Sequence, residues 1–357
     1  SAISLVDAIN LLLIQVFSAL ATGGAVVAAQ YLGARARERA CDTAKQLVWS
    51  TTLIAALIGL VAAVWNGPIL GAIYGALEPN VMENARVYFL ISAISYPFLA
   101  LYNAGAALYR SMGNSRISLI ISLIMNVVNV AGNALLIFVF DMGVAGAALA
   151  SLASRVLAAV IVTKLICHKS NPIHVNRLFH FEWNGDILRR ILGIGVPNGM
   201  ENGVFQVGKL VVSNLIAGLG TSVIAANAIC NTVSGLVCVP GNAIGLALIT
   251  VGQCVGARAI REAQTNVKKL MFFTYGCMLV LNVFLFFLAA PVVALFDLSE
   301  LATAISIDLL KQYAVFNSIF WPLSFPFANA LRAAGDAKYT MWTSIGSMVL
   351  IRVGLSY

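Results

Sequence analysis

The chain has 357 residues, of which 60% are apolar and only 10% charged, with a formal net charge of +8. A soluble globular domain carries about 25% charged and about 45–50% apolar residues, so 22 basic and 14 acidic side chains could not cover a water-soluble fold of this size. The composition excludes an ordinary cytosolic enzyme, a disordered chain and a secreted disulfide scaffold, and it points to a polytopic membrane protein.

Ten apolar spans follow in chain order. Span A covers 5–31, B 47–66, C 87–109, D 117–140 and E 143–166. After a polar linker come F at 190–217, G at 223–248, H at 270–290, I at 312–331 and J at 339–357. In lipid every backbone group needs an internal partner, so spans of this length are read as helices. Barrel strands would be about ten residues long and would alternate in polarity. The longest charge-free stretch, Leu210 to Ala257, would reach roughly 72 Å as one helix, against a hydrocarbon core of about 30 Å. It must therefore hold the end of F, a turn at Gly218-Leu219-Gly220-Thr221-Ser222 and span G.

The basic residues set the orientation. Seventeen of the 22 Lys and Arg lie in or beside the A–B, C–D, E–F, G–H and I–J connections, whereas only Arg86 and Lys311 lie in the alternate loops. The positive-inside rule makes the first set cytoplasmic, and topology thus accounts for the net charge without nucleic acid. The six cysteines form no C-x-x-C and lie in no outer loop, so no disulfide framework is expected. His168, His174 and His180 all fall in the E–F linker. No metal and no cofactor is expected.

An internal repeat organises the chain. Gln30-Tyr31-Leu32-Gly33-Ala34-Arg35-Ala36 recurs as Gln253-Cys254-Val255-Gly256-Ala257-Arg258-Ala259, at an offset of 223. Arg110-Ser111-Met112-Gly113-Asn114 matches Arg332-Ala333-Ala334-Gly335-Asp336, at an offset of 222. Two matches on one ruler indicate two homologous halves: an N-terminal lobe at 1–166, a cytoplasmic linker at 167–189 and a C-terminal lobe at 190–357. The ruler leaves span F without a first-half partner, makes span J a shortened partner of D and leaves E without a second-half partner. The expectation is a piece of a twelve-helix protein, about ten helices present, with six-helix bundles related by a pseudo-two-fold axis along the membrane normal. Transporters built from such parallel repeats bind cargo between the halves near midplane.

Polar residues inside spans supply the candidate site. Span F carries Asn198, Glu201, Asn202, Gln206, Lys209 and Ser213 within an arc of about 140° at 100° per residue. Lipid does not solvate such a face, so it looks into the bundle or a wet cavity. Span G adds Asn227 and Asn231, with Ser234 and Asn242, and span D adds Asn126, Asn129 and Asn133. Interhelical hydrogen-bonding is the alternative use of these amides. Glu201 is the one acidic residue deep in a span. Pro197 removes a backbone donor and is expected to kink the helix beside it, and Gly195, Gly199 and Gly203 form a small-residue seam. Such a carboxylate suits a proton or cation site. Lys209 lies about 12 Å along the axis from Glu201 and is open to snorkelling, pairing across the bundle or tuning cation affinity. Arg155 and Arg352 also sit inside spans, and the sequence assigns them no role. Gly203-x4-Gly208-Lys209 imitates a phosphate loop, but Leu210 follows where Ser or Thr is needed and no strand precedes it.

Gln-x-x-Gly-Ala-Arg at 30–35, its repeat at 253–258 and Leu331-Arg332-Ala333-Ala334-Gly335-Asp336 resemble the multidrug and toxic compound extrusion (MATE) family. So do Gly132-Asn133-Ala134-Leu135-Leu136-Ile137-Phe138 and Val196-Pro197. The resemblance covers essentially the whole chain. It implies family helices 2–6 in the first lobe and 7–11 in the second. It also implies export of cationic or amphipathic organic compounds, coupled to inward movement of protons or sodium, by a monomer in a bacterial inner membrane. Asn129 and Asn133 match the family's polar pair on its fifth helix. A flippase of lipid-linked sugars from the wider superfamily is the alternative transporter. An intramembrane enzyme is disfavoured, because no span holds two acidic residues and H-E-x-x-H is absent.

Overall fold

The computed structural model describes residues 2–75, 78–176, 183–296 and 298–354. Arg177 and His180 of the linker, and the last three residues of span J, lie outside that set. Among the described residues there is no strand. The chain separates into two compact units, Ser1–Gly203 and Val204–Tyr357.

The first unit contains α1 (Ala2–Gly33), α2 (Arg37–Val64), the short α3 (Asn66–Tyr74), α4 (Pro79–Ser111), α5 (Ser115–Asn133), α6 (Gly143–Ile166) and the start of α7 (Gly185–Ala217). A π-helical turn, Ala134–Val139, extends α5. Helix α4 is the centre, touching α1, α2 and α6 along its length. Glycines permit this closeness. A Cβ on Gly59 would stand 2.6 Å from the Ala93 carbonyl oxygen, and one on Gly105 would run into Val162. Gly24 likewise makes room for Leu47. Lipid tails are as apolar as leucine, so close packing of this kind, rather than burial from water, holds membrane helices together. The outer face of α5 shows the complement: Leu119, Leu123, Val127 and Val130 are each more than half exposed, an apolar stripe suited to lipid.

The second unit contains the rest of α7, then α8 (Thr221–Val237), α9 (Val239–Ala247), α10 (Val251–Gly256), α11 (Ile260–Ala294), α12 (Glu300–Ser324), α13 (Pro326–Ala334) and α14 (Ala337–Gly346). A 3₁₀ turn joins α9 to α10, and a π-helical turn, Ser347–Val353, extends α14. Ile229, Val233, Leu285, Ala289, Val293, Leu310 and Ala314 form one core between α8, α11 and α12.

Among the described residues, seven helical stretches are long and apolar enough to cross a membrane: 6–33, 37–64, 79–111, 115–139, 143–166, 239–256 and 260–294. The protein is an all-α polytopic membrane protein. Span E coincides with α6, but α2, α4, α11 and α12 begin eight to twelve residues ahead of their expected spans. The cause is physical: a window of apolar residues finds the part in lipid, whereas charged turns such as Arg37–Lys45 and Ile260–Lys269 continue the helix into water. Prolines break spans G and I. Pro240 and Pro326 sit in the first turns of α9 and α13, where a missing N–H costs nothing. Helix α7, by contrast, runs unbroken through Pro197.

The repeat is written in the backbone as well as the sequence. Ala34, Arg35 and Ala36 donate their N–H groups to the carbonyls of Gln30, Leu32 and Tyr31, and Ala257, Arg258 and Ala259 donate to those of Gln253, Val255 and Cys254, all at 2.9–3.0 Å. Arg35 and Arg258 both adopt left-handed conformations, with φ of 57° and 58°. The second pair agrees: Gly113 and Gly335 have φ of 79° and 102°, and each N–H reaches the carbonyl of the arginine three residues back, Arg110 or Arg332. The resulting caps satisfy the orphan carbonyls of the preceding helices.

Candidate transport and coupling site

The boundary between the units falls inside α7, so its polar stripe is shared. Asn198, Glu201 and Asn202 belong to the first unit, Gln206 and Lys209 to the second. Asn198 is buried, whereas Glu201, Asn202 and Gln206 are half-buried. The glycine seam explains why this end of α7 joins the first unit. Gly195 meets Leu20 of α1, and a Cβ on Gly23 would lie 2.6 Å from the Gly195 nitrogen. Gly199 is in ordinary contact with Ala19, and Gly203 faces open space, so only the Gly195 end of the expected seam is a tight crossing.

Asn129 and Asn133 come together as one turn of α5. Asn133 Nδ2 donates to Asn129 Oδ1 at 3.2 Å, and Asn129 Nδ2 donates to Ser151 Oγ of α6 at 3.1 Å. Asn133 Oδ1 is buried and accepts no hydrogen bond among the described residues. An orphan acceptor in a membrane interior is costly. The π-helical turn that begins at Ala134 follows directly, and such turns concentrate at functional sites. Asn129 Oδ1 and Ser151 Oγ already accept hydrogen bonds, so Asn133 Oδ1 is the acceptor of this group left open among the described residues.

The other amides are dispersed. Asn227 is half-buried and Asn231 exposed on α8, and neither side chain is hydrogen-bonded among the described residues. Lys209 lies over the Phe205 ring at 5.2 Å from its centroid.

Sequence reasoning missed a second polar assembly in the first unit. Tyr88 OH of α4 donates to Asp7 Oδ1 of α1 at 3.0 Å, and Asn10 Nδ2 donates to the same oxygen at 3.3 Å. Tyr96 OH donates to Asn10 Oδ1 at 2.7 Å, and Asn10 Nδ2 also reaches Ser92 Oγ at 3.4 Å. Arg155 of α6 donates from Nη1 to Ser95 Oγ at 2.5 Å, and Ser95 in turn donates to the Ser92 carbonyl at 2.6 Å. Three helices are thus joined through one carboxylate and one guanidinium. The repeat ruler shows that the fold does not require this. At the same offsets Asn10 becomes Val233, Tyr88 becomes Leu310 and Ser92 becomes Ala314, all members of the apolar core of the second unit. That replacement was a signal readable in the sequence.

Comparison with known proteins agrees with this architecture. The MatE family model matches residues 1–135 and 197–357. The chain is 27% identical over 358 residues to the uncharacterized transporter YisQ of Bacillus subtilis, covering 97% of this chain and 76% of that protein. It is 23% identical over 352 residues to the probable multidrug resistance protein NorM of Thermotoga maritima, covering 96% and 74%. Among solved structures, a MATE crystal structure in the bent conformation superposes with a TM-score of 0.92 at 18% identity, over 99% of this chain and 78% of that one. Family helices, repeated caps and membrane-buried amides therefore lead to one conclusion: this chain belongs to the MatE family and is a multi-pass membrane transporter, not an enzyme.

Proposed function

We propose that the protein is a cation-coupled antiporter that exports amphipathic organic compounds from a bacterial cytoplasm across the inner membrane, by alternating access. The observation that carries this reading is the buried, unpartnered Asn133 Oδ1 beside Asn129 and Ser151, at the position where the sequence resembles the polar pair of the family. Carboxamide and hydroxyl oxygens suit sodium; the half-buried carboxyl of Glu201 suits a proton or shares a sodium ion with Asn198 and Asn202. A ligand shifts a two-state equilibrium only by its differential affinity for the two states. The ion therefore drives release of cargo only if its oxygen cage is better formed in the state that has opened outward.

The test is efflux from vesicles containing the full-length protein, after sodium replacement and after a pH jump. Asn133→Leu removes the acceptor, and Glu201→Gln removes the titration but keeps the shape. Sodium coupling through the α5 site predicts that Asn133→Leu loses sodium-driven efflux while still reaching the membrane. Proton coupling predicts that Glu201→Gln loses pH-driven efflux. Wild-type gradient-driven efflux by both variants would remove this assignment.

A further inference from the structure

The second unit holds two cations, in the expected spans F and J, that the coupling scheme does not use. Lys209 Nζ lies 5.2 Å from the centroid of the Phe205 ring, and the Arg352 guanidinium carbon lies 5.3 Å from the same centroid. The two charges are therefore no more than 10.5 Å apart. Local sequence explains the convergence. Phe205 and Lys209 are one turn apart on α7, as are Met348 and Arg352 in the turn that extends α14. Gly208 allows the approach: a Cβ there would meet Met348 Sδ at 2.5 Å and Cγ at 2.8 Å. The contact between Gly208 and Met348 thus delivers both cations to one ring.

The ring opens an aromatic row. Phe205 meets Phe325 edge-on at 5.6 Å, and Phe325 stacks on Trp321 at 5.5 Å. Phe325 is 40% exposed, so the row presents a face to a ligand. Lys209 is exposed and, among the described residues, meets no carboxylate. A ring face attracts a cation only weakly compared with an anion, and two like charges drawn to one ring repel each other. A charge inside a membrane span marks a functional site by default.

We infer that Phe205, Lys209, Arg352, Phe325 and Trp321 form a binding site for an aromatic carboxylate, with the carboxylate between the two cations and the ring system along the aromatic row. This rests on the transporter reading and deepens it by naming the cargo class: an aromatic organic acid, or a zwitterion that presents its acid here. A guanidinium offers two parallel N–H donors to a carboxylate, an arrangement an ammonium cannot supply, so Arg352 orients the acid and Lys209 adds charge.

Binding to the full-length protein in phosphatidylcholine nanodiscs tests the site without any gradient. The probes are 2-naphthoate, neutral 2-naphthamide and cationic 2-naphthylmethylamine, measured by equilibrium dialysis. The site predicts that naphthoate binds at least tenfold tighter than either analogue. It also predicts that Lys209→Gln and Arg352→Gln each remove most of that preference while naphthamide binding stays unchanged. Phe325→Leu should weaken naphthoate and naphthamide by a similar factor. Equal affinities for the three probes, or an unchanged naphthoate preference in Lys209→Gln, would overturn the inference. Loss of the naphthoate preference on adding phosphatidylglycerol, with Phe325→Leu silent, would assign the cations to lipid phosphate and overturn it too. Naphthoate binding with no gradient-driven efflux would defeat the transport scheme and leave this site standing, whereas coupled efflux without acid preference would do the reverse.

Discussion

Replacing Gly23 with alanine should loosen the crossing of α1 and α7. A Cβ there would stand 2.6 Å from the Gly195 nitrogen, 2.7 Å from the Ile191 carbonyl oxygen and 2.8 Å from the Gly195 Cα. Ordinary contact begins near 3.4 Å, so the helices must part by about 0.8 Å, and no side-chain rotation relieves a clash with backbone. Overpacking of this kind costs about 1–3 kcal/mol, while the better helix propensity of alanine returns roughly 0.5–1 kcal/mol. The net loss is about 0–2.5 kcal/mol, centred on ~1 kcal/mol, and in a bilayer no gain in burial offsets the lost contacts. Gly203→Ala is the matched control on α7: nothing lies within 4 Å of its Cβ, so only the propensity gain remains. Thermal unfolding of the detergent-solubilised protein, followed by a thiol-reactive dye on the six free cysteines, reads both. The Gly23→Ala midpoint should fall several degrees below wild type, with Gly203→Ala at or above it. Coincident midpoints for the two variants would refute the argument.

Two further outcomes follow from named contacts. Tyr96→Phe strands the buried Asn10 Oδ1 and should destabilise by about 1–3 kcal/mol. Asn10→Val with Tyr96→Phe, which brings the valine of the second unit to this position, should recover part of that loss in the same melt; a double variant no more stable than the single one would count against the network. Burial raises the Cys167 thiol above its ordinary value by disfavouring the charged form. In a variant retaining only that cysteine, alkylation in the folded protein should inflect at higher pH than in urea, and an inflection at equal or lower pH would contradict this.

Much of the fold was legible because lipid imposes long apolar runs and a duplicated cap leaves a duplicated heptapeptide. The α6 boundaries and the break after α7 came from those constraints, although the turn closes at Gly220 and its last two expected residues, Thr221 and Ser222, already begin α8. Helix ends in water were not legible, since Arg37–Lys45 carries the composition of a loop and the backbone of a helix. The Asp7–Tyr88–Tyr96–Arg155 assembly escaped for a different reason. Its members are single polar groups on three helices, brought together across 60 to 86 residues of sequence, and tyrosine counts as apolar in any window. The grouping around Phe205 was hidden likewise, because Lys209 and Arg352 lie more than a hundred residues apart and meet through the Phe205 ring and the Gly208–Met348 contact.

The duplicated inner helix took two mechanical forms. In the first unit it is a single 32-residue rod. In the second it is three pieces, jointed at Cys238 and at the 3₁₀ turn Leu248–Thr250. A continuous helix spreads bending over its whole length, so each residue carries a small share of the load. A proline without an N–H and a segment with changed winding gather the load at two points. The first copy of the helix is therefore built as a stiff beam and the second as an articulated lever. Tyr313 and Asn317 meet Cys238 at the first joint, at 3.1 and 3.9 Å, so bending there works against the grip of these two side chains.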